Sequence, residues 1–189
     1  MRFLETIASI DGEILHLDYH QKRVNKTLGT SSFVLSELLN PPQDGYFRCR
    51  VVYDKNTSTT SYHPYTLKLA KSFKLVHADR LNYHLKYENR QELNQLKTQY
   101  AKYDEIIIVK NNLLTDTSIA NLAFFKNGSW FTPKTPLLEG TTRARLIDEG
   151  FLHVSDIAIK DLDNFQGFAL MNAMIDFEII QDGIMAIKK

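Results

Sequence analysis

The sequence predicts an α+β fold with much antiparallel strand, and three observations carry the prediction. Short runs rich in apolar, β-branched and aromatic residues end at the turn signals Asp11-Gly12 and Asn127-Gly128, as strands of hairpins do. A few intervening stretches, such as the one holding Tyr19, Val24 and Leu28, carry apolar residues at helical spacing instead. No internal repeat or low-complexity linker interrupts this alternation.

Phe3 to Ile10 reads as a strand that turns at Asp11-Gly12 and resumes from Ile14 to Leu17. A helix follows from Asp18, with Tyr19, Val24 and Leu28 on one face and Gly29 as its stop. Ser31 or Ser32 is placed to cap a second helix running through Leu39, which Asn40-Pro41-Pro42 ends. Tyr46 to Tyr53 is a strand, Asp54 to Thr60 a polar loop, Tyr62 to Leu69 extended, and Phe73 to His77 another strand. Asn89 to Tyr100 reads as a surface helix packed through Leu93 and Leu96, and Glu105 to Lys110 as a buried strand turning at Asn111-Asn112. A hairpin joins Leu122–Lys126 to Ser129–Thr132. Pro133 and Pro136 stiffen the approach to a helix at Thr142 to Glu149, stopped by Gly150. Leu152 to Ile159 is extended, Asp161 to Gln166 a short helix or turn, and Phe168 to Ile187 mostly strand with a turn at Asp182-Gly183. The change in pattern near Ala78 suggests a small α/β domain over residues 1–77 and a larger α/β domain over 78–189.

With 189 residues, 43% hydrophobic and 24% charged, the chain has ordinary globular proportions. A net charge of +1 and the lack of a basic stretch interleaved with aromatics argue against nucleic acid as a partner. Cys49 is the single cysteine, so it reads as a packed thiol in a reducing compartment, and no metal site is suggested. No apolar run approaches the ~20 residues of a membrane span, and acids stand where a signal peptide is apolar. A soluble cytoplasmic protein, not a membrane partner, is expected.

Four places offer chemistry. In P-L-L-E-G-T-T-R-A-R, Gly140, Thr141 and Thr142 open a helix, where unpaired N–H groups and the macrodipole favour an anion such as phosphate. An ordinary helix cap is the competing reading. Lys86, in L-K-Y-E-N-R between Tyr83 and Tyr87, is a candidate nucleophile: partial removal from water lowers an amine's pKa and frees it to attack a carbonyl. A solvated surface lysine is the alternative. Asp116, five positions ahead of Asn121, is an acid able to keep a pyridine nitrogen protonated, or else a turn-capping residue. Arg23, on a helix beside His20, carries a planar fork suited to phosphate.

Six motifs then fall into one order: F-L-E-T-I from Phe3, Asp11-Gly12, H-x-x-R from His20, K-x-x-N-R from Lys86, D-x-x-x-x-N-L from Asp116 and L-E-G-T-T-R from Leu138. In that order they resemble the class IV aminotransferases, the two-domain fold-type IV enzymes (D-amino acid aminotransferase-like) dependent on pyridoxal 5′-phosphate. The resemblance spans nearly the whole chain. It implies that Lys86 is the Schiff-base lysine and Arg23 a phosphate ligand, and that the larger domain binds the cofactor. Gly140, Thr141 and Thr142 would hold phosphate, Asn172 and Ala173 would form a second phosphate loop, and Asp116 would face the ring nitrogen where the family usually has Glu. F-L-E-T-I begins almost at Met1, so the resemblance also implies a trimmed N-terminal domain. A homodimer is implied as well.

Two reactions are compatible with these residues. The K-x-x-N-R motif and the trimmed domain lean towards a lyase of the 4-amino-4-deoxychorismate type, which yields p-aminobenzoate for folate synthesis. The alternatives are a transaminase acting on D-amino or branched-chain amino acids, and a cofactor-binding or structural protein without turnover. Tyr83, His84, Arg90, Arg143 and Arg145 are weaker candidates for substrate contacts. For Arg143 and Arg145, helix ion pairs with Asp148 or Glu149 are the rival reading.

Overall fold

A computed structural model describes residues 1–29 and 34–188, which form two compact units. The first comprises Met1–Lys68 and Leu85–Asn89, the second Leu69–His84 and Arg90–Lys189. The division therefore falls at other residues than 77/78. Strand β5 (Phe73–His77) pairs in parallel with β6 (Glu105–Lys110) and so belongs to the second unit, while 85–89 returns to the first.

In the first unit, β1 (Phe3–Ile10), β2 (Glu13–Ile14), β3 (Tyr46–Tyr53) and β4 (Ser58–Pro64) form an antiparallel sheet of order β2-β1-β3-β4. Alternation sends Phe3, Glu5 and Ile7 of β1 to one face, opposite Tyr53, Val51 and Cys49 of β3. Helix α1 (Leu17–Leu28) covers that face through His20, Val24 and Leu28, spaced by one turn. His20 thus takes the buried place expected for Tyr19. Gly29 ends the helix with φ 76°, where a side chain would be strained. The expected caps Ser31 and Ser32 lie outside the described residues, and helix α2 covers only Leu35–Leu38. β4 begins at Ser58, inside the expected loop, because Asp54 closes a tight turn by accepting from the N–H groups of Asn56 and Thr57. The segment 85–89 joins β1: the Leu4 N–H donates to the Lys86 carbonyl and the Glu88 N–H to that of Arg2.

The second unit adds α3 (Gln91–Gln99), β7 (Leu113–Thr117), β8 (Asn121–Lys126), β9 (Ser129–Pro133), α4 (Thr141–Asp148), β10 (Leu152–Ser155), β11 (Gly167–Asn172), β12 (Asp176–Ile179) and α5 (Gly183–Lys188). Its strands run β10-β9-β8-β7-β6-β5, with β11 pairing both β8 and β12. β8 and β11 are buried on both faces. Leu122, Phe124, Phe168 and Leu170 enter one core cluster, and Ala123, Ala169 and Met171 pack with Leu146 of α4 in another. The strand expected through Ile187 stops at Ile179, and its end is α5, whose Ile184 and Ile187, three apart, face the first cluster.

Candidate active site

In the first unit the candidate residues His20 and Arg23 gather around Glu5. Alternation places this carboxylate on the helix-covered face of β1, fully buried between Phe3 and Ile7, so its charge has to be paired. His20 and Arg23, three apart on α1, do this. Arg23 donates through Nε to Glu5 Oε1 at 2.9 Å and through Nη2 to Oε2, and His20 Nδ1 lies 2.6 Å from Oε2. Burial pushes the Glu5 carboxyl up, but the Arg23 charge and the hydrogen bonds from His20 and Arg23 outweigh it and hold the pKa at about 2. An ionised carboxylate only accepts, so the proton of the His20–Glu5 bond sits on Nδ1. Burial lowers the His20 pKa, Glu5 opposes that, and the charges of Arg23 and Lys86 lower it further. Lys86 therefore lies within electrostatic reach of a neutral His20. It is half-buried in the segment that joins β1, just ahead of α3.

In the second unit, Asp116 lies on β7, a strand the reading of residues 113–117 missed, and its register partner is Asn121 at the start of β8. Asp116 is buried and held by a closed ring of hydrogen bonds. Asn121 Nδ2 donates to Asp116 Oδ1 at 2.7 Å and to the Leu138 carbonyl at 2.8 Å, and the Leu138 N–H donates to Asp116 Oδ2 at 2.7 Å. Burial raises the Asp116 carboxyl to about 7, although the donors of Leu138 and Asn121 and the Arg143 charge pull the other way.

Gly140 is the N-cap of α4, and a Cβ on it would stand 1.9 Å from Asn121 Oδ1. Only glycine lets the turn pass the amide. The first intrahelical bond of α4 runs from the Ala144 N–H to the Gly140 carbonyl, so the N–H groups of buried Thr141 and Thr142 precede the helical ladder. Asn172 ends β11. Its Oδ1 accepts from the N–H groups of Met174 and Ile175, which shapes the turn containing Ala173, and its Nδ2 donates to the Ile119 carbonyl in the β7–β8 turn at 3.2 Å.

The weaker candidates separate. Arg90 donates to the Ser118 carbonyl in that same turn and stands 6.0 Å from the ring of buried Tyr83. Arg143 is buried, donating to the Pro133 carbonyl at 2.8 Å and the Thr132 hydroxyl at 3.3 Å. Arg145 pairs with Glu149 at 3.0 Å and with Asp176. His84 is exposed and contacts Asn82 at 2.6 Å. Glu5 and Asn121 were visible only as letters within motifs. Their partners depend on which strand face and which turn they occupy.

Among the described residues, no group of three or more His, Cys, Asp or Glu side chains is arranged to hold a metal, and no helix is long and apolar enough to cross a membrane. The family model for amino-transferase class IV matches residues 40–181. An uncharacterized protein of Haemophilus influenzae is 37% identical over 90% of this chain and 96% of its own length. A Schizosaccharomyces pombe protein named a "putative aminodeoxychorismate lyase" is 27% identical over 94% of this chain and 87% of its own. The crystal structure of a "putative 4-amino-4-deoxychorismate lyase" from Haemophilus somnus superposes with a TM-score of 0.85 at 34% identity, covering 92% of this chain and 96% of that one. Matches of this extent, together with the shared fold, establish that the chain belongs to the class IV aminotransferases, a family dependent on pyridoxal 5′-phosphate.

Proposed function

We propose that the chain is a pyridoxal 5′-phosphate-dependent lyase that converts 4-amino-4-deoxychorismate to p-aminobenzoate and pyruvate. One observation carries the cofactor. A buried acid, Asp116, is tied to the loop that leads into α4 by the Asn121 side chain and by the Leu138 N–H. The residues fit the group: each oxygen of Asp116 accepts one of the bonds described and keeps capacity for a ring N–H, while Thr141 and Thr142 offer N–H groups and hydroxyls to a phosphate. When bound, the cofactor supplies the electron sink for a carbanion at the carbon bearing the substrate's amino group.

The chain's residues take defined parts in this reading. Lys86 Nζ would hold the cofactor and, once displaced from it by the substrate's amino group, would be the free amine that accepts the proton from that carbon. Arg23 supplies positive charge for the phosphate, with Glu5 fixing the plane of its fork. The Asn172-Ala173 turn gives the second phosphate contact. Arg90, held by Ser118 beside Tyr83, is the arginine of K-x-x-N-R, and that motif favours the lyase over a transaminase. Similarity to the two proteins named as lyases supports the same choice.

The test is direct. Purified protein supplied with pyridoxal 5′-phosphate is expected to turn yellow and to form a borohydride-reducible adduct that Lys86→Ala lacks. Incubated with chorismate, glutamine and an aminodeoxychorismate synthase, it is expected to release p-aminobenzoate. Amino-group exchange between amino and keto acids without p-aminobenzoate would assign a transaminase. A protein that stays colourless would refute the enzyme reading altogether.

A further inference from the structure

We infer that Asn121 is a positioning residue that sets the distance and orientation between the acid for the cofactor ring and the helix N-terminus for its phosphate. The inference deepens the cofactor reading above and rests on it. The geometry is closed. Both N–H groups of the Asn121 amide are used, one on Asp116 Oδ1 at 2.7 Å and one on the Leu138 carbonyl at 2.8 Å. The peptide of Leu138 answers with its own N–H to Asp116 Oδ2 at 2.7 Å. The amide cannot be turned over, because its oxygen would then face a carboxylate and a carbonyl, two groups that only accept. In the orientation it holds, that oxygen packs on Gly140, where a Cβ would come within 1.9 Å.

One planar side chain therefore touches the carboxylate, the loop before α4 and the glycine that opens α4. All three belong to the second unit, and β7–β8 pairing at Asp116 and Asn121 keeps donor and acceptor opposite each other. A ligand with an aromatic N–H at one end and a phosphate at the other reads that spacing as a fixed gauge. Asn121 acts on it through Asp116 and Gly140.

The experiment measures binding of pyridoxine 5′-phosphate, which lacks the aldehyde and cannot react with Lys86, by calorimetry from pH 5.5 to 8.5. Asn121→Ala is expected to weaken binding by about tenfold or more, the effect of one charge-assisted hydrogen bond. Asn121→Asp, nearly the same size, keeps the test available if the alanine variant does not fold. Above neutral pH its introduced carboxylate repels Asp116 and binding falls further. As the pH drops, a proton shared between the two carboxyl groups restores a donor, so the deficit relative to wild type shrinks. A residue that only supported the fold would give a deficit independent of pH. Unchanged affinity in either folded variant, or a pH-independent loss in Asn121→Asp, overturns the role of Asn121 and leaves the cofactor reading intact. Wild-type protein that fails to bind pyridoxine 5′-phosphate overturns both.

Discussion

At the scale of single residues, two buried acids respond to pH in opposite senses. Glu5 has its folded pKa depressed from 4.5 to about 2, so its contribution to stability is complete above 4.5 and is lost as pH falls towards 2. The shift corresponds to something on the order of 3 kcal/mol, and Glu5→Gln is expected to lose most of it at pH 7, since Arg23 loses its counter-charge and one of the two acceptor oxygens gives way to a donor. Urea unfolding of the two proteins checks this: the gap between them should close as the pH is lowered below 4.5. Asp116 has its folded pKa raised from 3.8 to about 7, so its contribution is complete below 3.8 and is lost as pH rises through 7. In cofactor-free protein, the stability of wild type relative to Asp116→Ala is expected to decline between those values and level off above 7, which urea midpoints across the range would reveal. Legibility in the sequence follows the same physics. His20 and Arg23 stood out because a three-residue spacing puts two side chains on one helix face, whereas nothing local in F-L-E-T-I tells that Glu5 points inward to meet them.

At the scale of elements, the sequence announced what its own neighbours determine. β1, β3, β5 and β6 appeared with the expected bounds because their apolar runs are bounded by turn residues, and the Asn127-Gly128 hairpin formed with both residues at positive φ, as its sequence requires. β7 escaped because L-L-T-D-T mixes polar and apolar residues without alternation, and long-range pairing decides its state: the Leu114 N–H donates to the Ile157 carbonyl and β6 lies alongside. α5 escaped because G-I-M-A-I-K is apolar enough for either state, and its packing against β11 and β5 decides it. The opening turn of α4 was legible as Gly-Thr-Thr, but the reason for its glycine was not. Gly140→Ala is expected to destabilise the protein by about 1–3 kcal/mol, the usual cost of overpacking, because backbone and amide must move apart. The companion change Asn121→Ala in the same chain should recover part of that loss; thermal melts of the single and double variants test the pair.

At the scale of the molecule, the chain leaves the first unit after Lys68, returns for Leu85–Asn89 and leaves again. Those five residues carry Lys86 and bond to the edge of β1 through Leu4, Arg2, Lys86 and Glu88. A fragment ending at Lys68 is therefore expected to be less protected against proteolysis than the same residues in the full chain. If the homodimer implied by the family holds, light scattering should give twice the 21.8 kDa of one chain. The returning segment also bears on the order in which the protein takes shape as it leaves the ribosome. The sheet of the first unit cannot acquire its last partner when residue 68 emerges. It waits for 85–89, which are made after β5, while β5 waits for β6. Neither unit can be finished before synthesis of the other has begun, so the nascent chain completes the segment that carries Lys86 only when both are under way.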